Sequence, residues 1–360
     1  MISEDIIKLV FSNVYTLEKA EKEKLLLQEL NKLINYHKEH CDKFSNIIKN
    51  LYSNKSEYNS LEELPFLPVR LFKMLDLKSI LDEDIFKVLS SSGTSGNYSK
   101  IFLDRENTSL QTKALASIMK HLLGNYRLPM IIIDSKETIK NRFSFNARGA
   151  GIIGFSTFGR DHFYLLNEKM EIDFENLKIF LEKHKNEKLF IFGFTYMIWE
   201  HLYKGLKKFE SKINLENSII LHGGGWKKLN DKNINNNILK KELKDTFGAN
   251  CIYDYYGMVE QIGSIFIECD EGYLHAPSFA DVIIREANTL KPLPNNQDGL
   301  IQDLSILPHS YPGNSLLTED IGRIIGNDDC PCKKKGKYIK IKGRMKSSEA
   351  RGCSDSYNYN

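Results

Sequence analysis

Apolar and polar positions change their rhythm along the chain. In residues 1–60, Leu26, Leu30, Leu33 and Ile34 recur at helical spacing, with Leu17, Leu25 and Leu27 adding apolar surface nearby. Charges of both signs fill the remaining positions, which predicts amphipathic helices. Leu64-Pro65-Phe66-Leu67-Pro68-Val69-Arg70-Leu71-Phe72-Lys73 breaks that rhythm with two prolines and reads as an ordered connection into a core. From about residue 85, short continuous apolar runs alternate with helical stretches. Ile85–Leu89, Pro129–Asp134, Lys188–Gly193, Ser218–Gly225 with its three closing glycines, and Cys251–Gly257 are predicted strands. A helix through Trp199, His201 and Leu206 follows the third of them. Buried strands separated by helices predict an α/β sheet, with ligands gathered at the carboxyl ends of its strands. From about 265 to 345, short strands and turns dominate, with Pro292, Pro294, Pro308 and Pro312. The expected organisation is a helical region over 1–84 packed on the core, a core over 85–345 and a short tail over 346–360. No internal repeat is visible.

Composition narrows the class without naming it. The chain has 360 residues, 41% hydrophobic and 27% charged, as in a soluble globular protein. No apolar run approaches a membrane span. The acidic start, Met1-Ile2-Ser3-Glu4-Asp5, lacks the pattern of a secretory signal. A net charge of +3 argues against nucleic acid as a partner. Six cysteines in a chain of this length point to reduced thiols in a cytoplasm rather than a disulfide framework.

The polar segments at predicted strand ends carry the chemistry. Ser90-Ser91-Ser92-Gly93-Thr94-Ser95-Gly96 joins one apolar run to Ser99-Lys100-Ile101-Phe102-Leu103-Asp104, and the whole reads as strand, polar glycine loop, strand. Two glycines let successive N–H groups face one anion, and the hydroxyls add donors, so the segment suits a polyphosphate. It lacks the lysine of a P-loop and the spacing of a dinucleotide fingerprint. The same composition also suits a flexible linker. In Tyr255-Tyr256-Gly257-Met258-Val259-Glu260-Gln261, an aromatic ring is placed to stack on a base, Gly257 permits close approach, and Glu260 offers a hard oxygen ligand for Mg²⁺. Asp320 in Thr318-Glu319-Asp320-Ile321-Gly322 reads as a carboxylate on a turn, able to accept two hydrogen bonds from vicinal hydroxyls or simply to meet solvent. Cys269, His275, Cys330 and Cys332 supply three sulfurs and one imidazole, the donor set of a closed zinc site. Unpaired thiols are the plain alternative. Lys333-Lys334-Lys335 reads as a solvated turn or a contact for an acidic carrier.

Ser-Ser-Gly-Thr-Ser-Gly, Tyr-Gly-x-x-Glu, Thr-x-Asp and Gly343-Arg344 occur in the order found in adenylate-forming enzymes, which this chain therefore resembles. Leu67–Lys73, His222-Gly223-Gly224-Gly225-Trp226-Lys227-Lys228, Tyr256–Gln261 and Gly343-Arg344 with Glu349-Ala350-Arg351-Gly352-Cys353-Ser354-Asp355 sharpen this to a resemblance to the acyl-protein synthetase (LuxE-type) family. The resemblance runs over most of residues 60–355. It implies the large N-terminal domain of an adenylate-forming enzyme, layered α/β sheets with a small β-rich subdomain, without the usual C-terminal domain. It implies that ATP and Mg²⁺ activate a fatty or related carboxylic acid as acyl-AMP, and that a thiol then takes the acyl group. Ser91, Ser92, Gly93, Thr94, Ser95 and Gly96 would face the phosphates, with Lys100 in support. Gly223, Gly224 and Gly225 would line the adenine pocket, Tyr256 would stack on the base, and Glu260 would hold the metal. Asp320 would bind ribose with Arg344 nearby, and Phe192, Phe194 and Thr195 would line an acyl tunnel. Cys353 matches the acyl-acceptor cysteine, with Arg351 placed to favour its thiolate. The implied partner is an acyl-CoA-type reductase or a carrier-protein thiol. Some adenylate-forming relatives with the Cys…His…Cys-x-Cys pattern also look zinc-bound. Val259 departs from the threonine usual before the metal-binding glutamate, which keeps a non-catalytic acyl- or nucleotide-binding subunit in view. A ligase for an aryl or amino acid acting on a separate carrier is the other alternative.

Overall fold

The computed structural model describes residues 3–52, 55–91, 98–140, 147–209, 213–225, 229 and 234–345. Ser92, Gly93, Thr94, Ser95 and Gly96, the Trp226–Lys228 motif and the tail with Arg351 and Cys353 lie outside the described residues. The chain divides into two units. Among the described residues, one takes 3–52, 55–91, 98–118 and 257–345, and the other takes 119–140, 147–209, 213–225, 229 and 234–256.

In the first unit, helix Lys19–His40 buries Lys22, Leu26, Glu29, Leu30, Leu33, Ile34 and His37, the stripe read from the sequence. His37 is tied down by Ser79 Oγ at 2.8 Å and by the Pro308 carbonyl at 3.2 Å. Helix Glu4–Ser12 starts on Ser3, whose hydroxyl accepts from the Ile6 N–H. Ser278 then binds this region, donating its hydroxyl to Val10 O and its N–H to Val14 O. The two-proline segment holds a short strand, β1 (Leu67–Pro68), and a single helical turn at Leu71–Met74. Strands β2 (Lys87–Ser90) and β3 (Lys100–Leu103) form an antiparallel pair, as the strand–loop–strand reading expected.

The second unit is a parallel sheet. Its strands are β4 (Leu128–Ser135), β5 (Gly159–Leu166), β6 (Leu189–Phe194), β7 (Ser218–Gly223) and β8 (Cys251–Tyr256), ordered β5-β4-β6-β7-β8. Strands β6 and β7 are buried at every position, which explains their unbroken apolar runs. Strand β5 was not legible in the sequence, because Gly159-Arg160-Asp161-His162 looks like a polar loop; three of these four residues face outward or lie half-buried on a sheet edge. The predicted helix after β6 is present, but its stretch Ile198–Gly205 is π-helical. Helix Asn236–Phe247 is capped by the Asn235 side chain and ends on Gly248 at φ 73°. Helix Ala147–Ser156 is fastened to β4 by a buried ion pair, Arg148 to Asp134, at 2.5 and 2.6 Å.

The rest of the first unit is antiparallel: β9 (Phe266–Glu268), β10 (Leu274–His275), β11 (Ala280–Arg285), β12 (Gly299–Ser305), β13 (Ser315–Asn327) and β14 (Lys337–Arg344), ordered β11-β12-β13-β14-β10-β9, with β1 running parallel to β13. The expected turn at Thr318–Gly322 is absent. These residues lie inside the thirteen-residue β13, where Asp320, Ile321 and Gly322 pair with β14 and the last two also with β12, past an irregularity in that ladder. Three consecutive polar residues mimic a turn locally, but Asp320 pairs with Arg344 on β14 and Glu319 O accepts from Met345 N–H at 3.0 Å.

Candidate functional site

The neck of the serine-rich segment is well defined. Ser91 N–H donates to Ser99 O at 3.1 Å, and Ser99 N–H donates back to Ser91 Oγ at 3.0 Å. Ser91 and Ser99 therefore continue the β2–β3 pairing by one rung. Lys100, the first residue of β3, is half-exposed and lies 3.4 Å from Asp76.

Glu260 is buried. It sits in a short 3₁₀ turn, Val259–Gln261. Gln261 fixes the turn by donating its Nε2 hydrogens to Asp303 O at 3.1 Å and Gly313 O at 2.8 Å. Ser264 reinforces it through Ser305 Oγ at 2.6 Å, and Gly263 adopts φ 90° close to the Gln111 backbone. Gly313 is required in turn, because a Cβ there would strike the Tyr311 ring and lie 2.8 Å from Glu260 O. Burial raises the Glu260 carboxyl above its ordinary value, while the Ser99 hydroxyl, Lys73 and Arg344 pull it down.

Asp320 and Arg344 face each other across β13 and β14, where Arg344 Nε donates to Asp320 Oδ1 at 2.9 Å. Thr318 Oγ1 donates to Ile301 O at 2.9 Å and accepts from Asp320 N–H at 3.1 Å. Arg70 pairs with Glu319 between them in sequence. The structure thus brings Asp320 and Arg344 together, as expected, but on strands.

In the second unit, β7 ends at Gly223 and Gly224 follows at φ 94°. A Cβ on Gly223 would collide with the Tyr255 ring, and one on Gly224 would sit 3.0 Å from Phe194 Cδ1. Tyr255 packs with Phe155 at 5.1 Å and Phe192 at 6.4 Å between ring centroids. Phe192 and Phe194 are wholly buried. Tyr256, the last residue of β8, is half-buried. His222 Nδ1 lies 3.0 Å from Thr195 Oγ1 and 3.6 Å from Asp254 Oδ1. Burial, and then the nearby Lys240, hold His222 down at about 3, so its imidazole is neutral.

Cys269, His275, Cys330 and Cys332 also converge, with one donor atom from each lying within 4.8 Å of the others. Sequence reasoning missed Gln261, Ser99 and Gly313. Gln261 stood inside a quoted motif, but its polarity gave no sign that it anchors a buried turn.

A parallel sheet flanked by helices, with glycine-rich and acidic turns at its strand ends and an antiparallel β region, is the fold of an adenylate-forming enzyme. The solved structure of 2-hydroxyisobutyryl-CoA ligase in the postadenylation state with 2-HIB-AMP superimposes with a TM-score of 0.71 at 18% identity, covering 92% of this chain and 69% of that one. The same ligase in an open conformation with 2-HIB-AMP and CoA gives 0.70 at 19% identity, covering 92% and 77%. The sequence matches the family described as acyl-protein synthetase, LuxE, over residues 1–360, and the chain belongs to that family of ligases. It is 26% identical over 308 residues to the long-chain-fatty-acid–luciferin-component ligase of Aliivibrio fischeri, covering 82% of this chain and 78% of the relative. The protein of the same description from Vibrio harveyi is 25% identical, covering 98% and 92%. Among the described residues no helix is long and apolar enough to cross a membrane.

Proposed function

We propose that this chain activates a fatty or related carboxylic acid with ATP and passes the acyl group to a thiol, first its own Cys353 and then that of a reductase or carrier protein. A carboxylate oxygen attacks the α-phosphorus of ATP, the bond to pyrophosphate breaks, and acyl-AMP forms. A thiolate sulfur then adds to the acyl carbonyl, and AMP leaves with the carboxyl oxygen it had captured. The observation that carries this reading is the buried Glu260 turn, held by Gln261, in a chain whose relatives are named fatty-acid ligases.

Glu260 fits a Mg²⁺ ligand because burial disfavours its charge, and a dication would restore it. The ion would supply charge neutralisation at the phosphates. Asp320 is suited to ribose hydroxyls, since Arg344 and Thr318 hold the strand segment that presents it. Gly223 and Gly224 would line the adenine pocket by the family motif, and Tyr256 offers a ring. The roles of Gly225, Gly257, Lys100 and of Ser92, Gly93, Thr94, Ser95 and Gly96 follow the family motif.

The test is pyrophosphate release across a panel of fatty, aryl and amino acids, with ATP and Mg²⁺. Release confined to fatty acids supports the proposal. Release with aryl or amino acids alone replaces the substrate class, and ATP binding without release would leave a non-catalytic subunit. With labelled acid, Cys353→Ser should form acyl-AMP but retain no hydroxylamine-labile acyl-protein.

A further inference from the structure

The four sulfur and nitrogen donors of the antiparallel region are arranged as a metal cage. Cys269 follows β9, His275 ends β10, and Cys330 and Cys332 lie in the connection from β13 to β14. Cys269 Sγ and Cys330 Sγ are 3.9 Å apart, and Cys332 Sγ and His275 Nε2 are 3.3 Å apart. A tetrahedral zinc ion with Zn–S near ~2.3 Å and Zn–N near ~2.0 Å sets its donors about 3.4–3.8 Å from one another. The observed separations bracket that edge length. The 3.9 Å between the Cys269 and Cys330 sulfurs is far too long for a disulfide, whose sulfurs sit about 2.05 Å apart.

The surroundings are built around those donors. Cys269 closes a tight turn, accepting from Gly272 N–H and donating its own N–H to Tyr273 O, both at 2.9 Å. Cys330 closes the second turn by accepting from Lys333 N–H at 2.9 Å, with Lys333 at φ 68°. The His275 ring is oriented by packing, stacked on Tyr338 at 5.5 Å and edge-on to Tyr15 at 6.3 Å. Three thiolates and one Zn²⁺ leave a single negative charge. Lys334, held over the Tyr15 ring at 4.7 Å and in the field of all three sulfurs, offsets it.

We propose that Cys269, His275, Cys330 and Cys332 bind one Zn²⁺ in a closed structural site that clamps the β9–β10 hairpin to the β13–β14 connection. Four protein donors fill the tetrahedron, so the ion takes no substrate. Its place is at the start of β14, the strand that ends on Arg344. The clamp therefore sets the register of that strand against β10 and β13, and with it the Asp320–Arg344 pair.

The experiment is metal analysis of the full chain, purified without added chelator. About one zinc per chain is expected, falling at least tenfold in Cys269→Ser and in Cys330→Ser. Because either variant is exposed to misfolding, the wild-type chain is also exchanged with Co²⁺. Thiolate-to-cobalt charge transfer and intense tetrahedral d–d bands are expected, with the d–d bands shifted in His275→Cys. Three results each overturn the proposal: wild-type protein without zinc and without the cobalt spectrum, full zinc retention in both serine variants, or a Cys269–Cys330 disulfide in protein prepared under reducing conditions.

Discussion

The Glu260 turn of the first unit and the Gly223–Gly224 turn of the second are both strand-end turns with motif residues, yet they are held by opposite means. The Glu260 turn is fixed by directed polar contacts: Gln261 to two carbonyls, Ser264 to Ser305. The Gly223–Gly224 turn is fixed by exclusion, since Tyr255 and Phe194 fill the volume a side chain would need. The first arrangement costs about 1–3 kcal/mol for each buried partner left unsatisfied. The second tolerates no added volume but makes no such demand. A buried carboxylate needs its backbone aimed, whereas a close-packed glycine turn needs side-chain atoms kept away.

The largest expected effect tests whether the aimed turn is chemical. Glu260→Gln keeps the shape but removes the charge, and should lower Mg²⁺-dependent pyrophosphate release by about 10²-fold or more with little change in thermal midpoint. Unchanged turnover would reduce the turn to a structural feature.

Next come two substitutions that should separate the two ways of holding a turn. Gln261→Leu removes both hydrogen bonds to the Asp303 and Gly313 carbonyls and should cost about 2 kcal/mol in urea unfolding. Gly223→Ala overpacks against Tyr255 and should cost about 1–3 kcal/mol. Combining it with Tyr255→Leu should recover part of that loss, giving a measurable coupling energy in a double-mutant cycle. Additive losses would show that steric exclusion is not what holds the turn.

A smaller effect concerns pH. The His222 folded value of about 3 lies below its ordinary 6.5, so the neutral imidazole is favoured by folding. Its contribution is present in full above about 6.5 and is lost as pH falls towards 3. His222→Gln should flatten the fall in urea midpoint across that window; an unchanged slope would place acid sensitivity elsewhere. The smallest effect is at Asp76→Ala, whose half-exposed pairing with Lys100 should be worth at most about 0.5 kcal/mol.

Much of the framework was legible from local pattern. The stripe on helix Lys19–His40, the β2–β3 pair and strands β4, β6, β7 and β8 all follow from apolar spacing over a few residues. Strand β5 was hidden because an edge strand carries polar residues that read as a loop. Asp320 was misread as a turn residue because its strand partner, Arg344 on β14, is remote in sequence. The Cys and His positions announced a donor set, but spacing alone left both metal and free thiols open.

The order of the Ser/Gly loop, Glu260, Asp320 and Arg344 belongs to the chain itself, because a motif is a matter of residue type and spacing. The same holds for helical and strand periodicity, which each segment expresses with its immediate neighbours. Only the tertiary structure buried Glu260, aimed Gln261 at Asp303 and Gly313, set Arg344 against Asp320 and gathered four metal donors within 4.8 Å. Each of these rests on groups tens of residues apart. Their meeting depends on strand register and on desolvation by surrounding side chains, and neither is written in any short stretch of sequence.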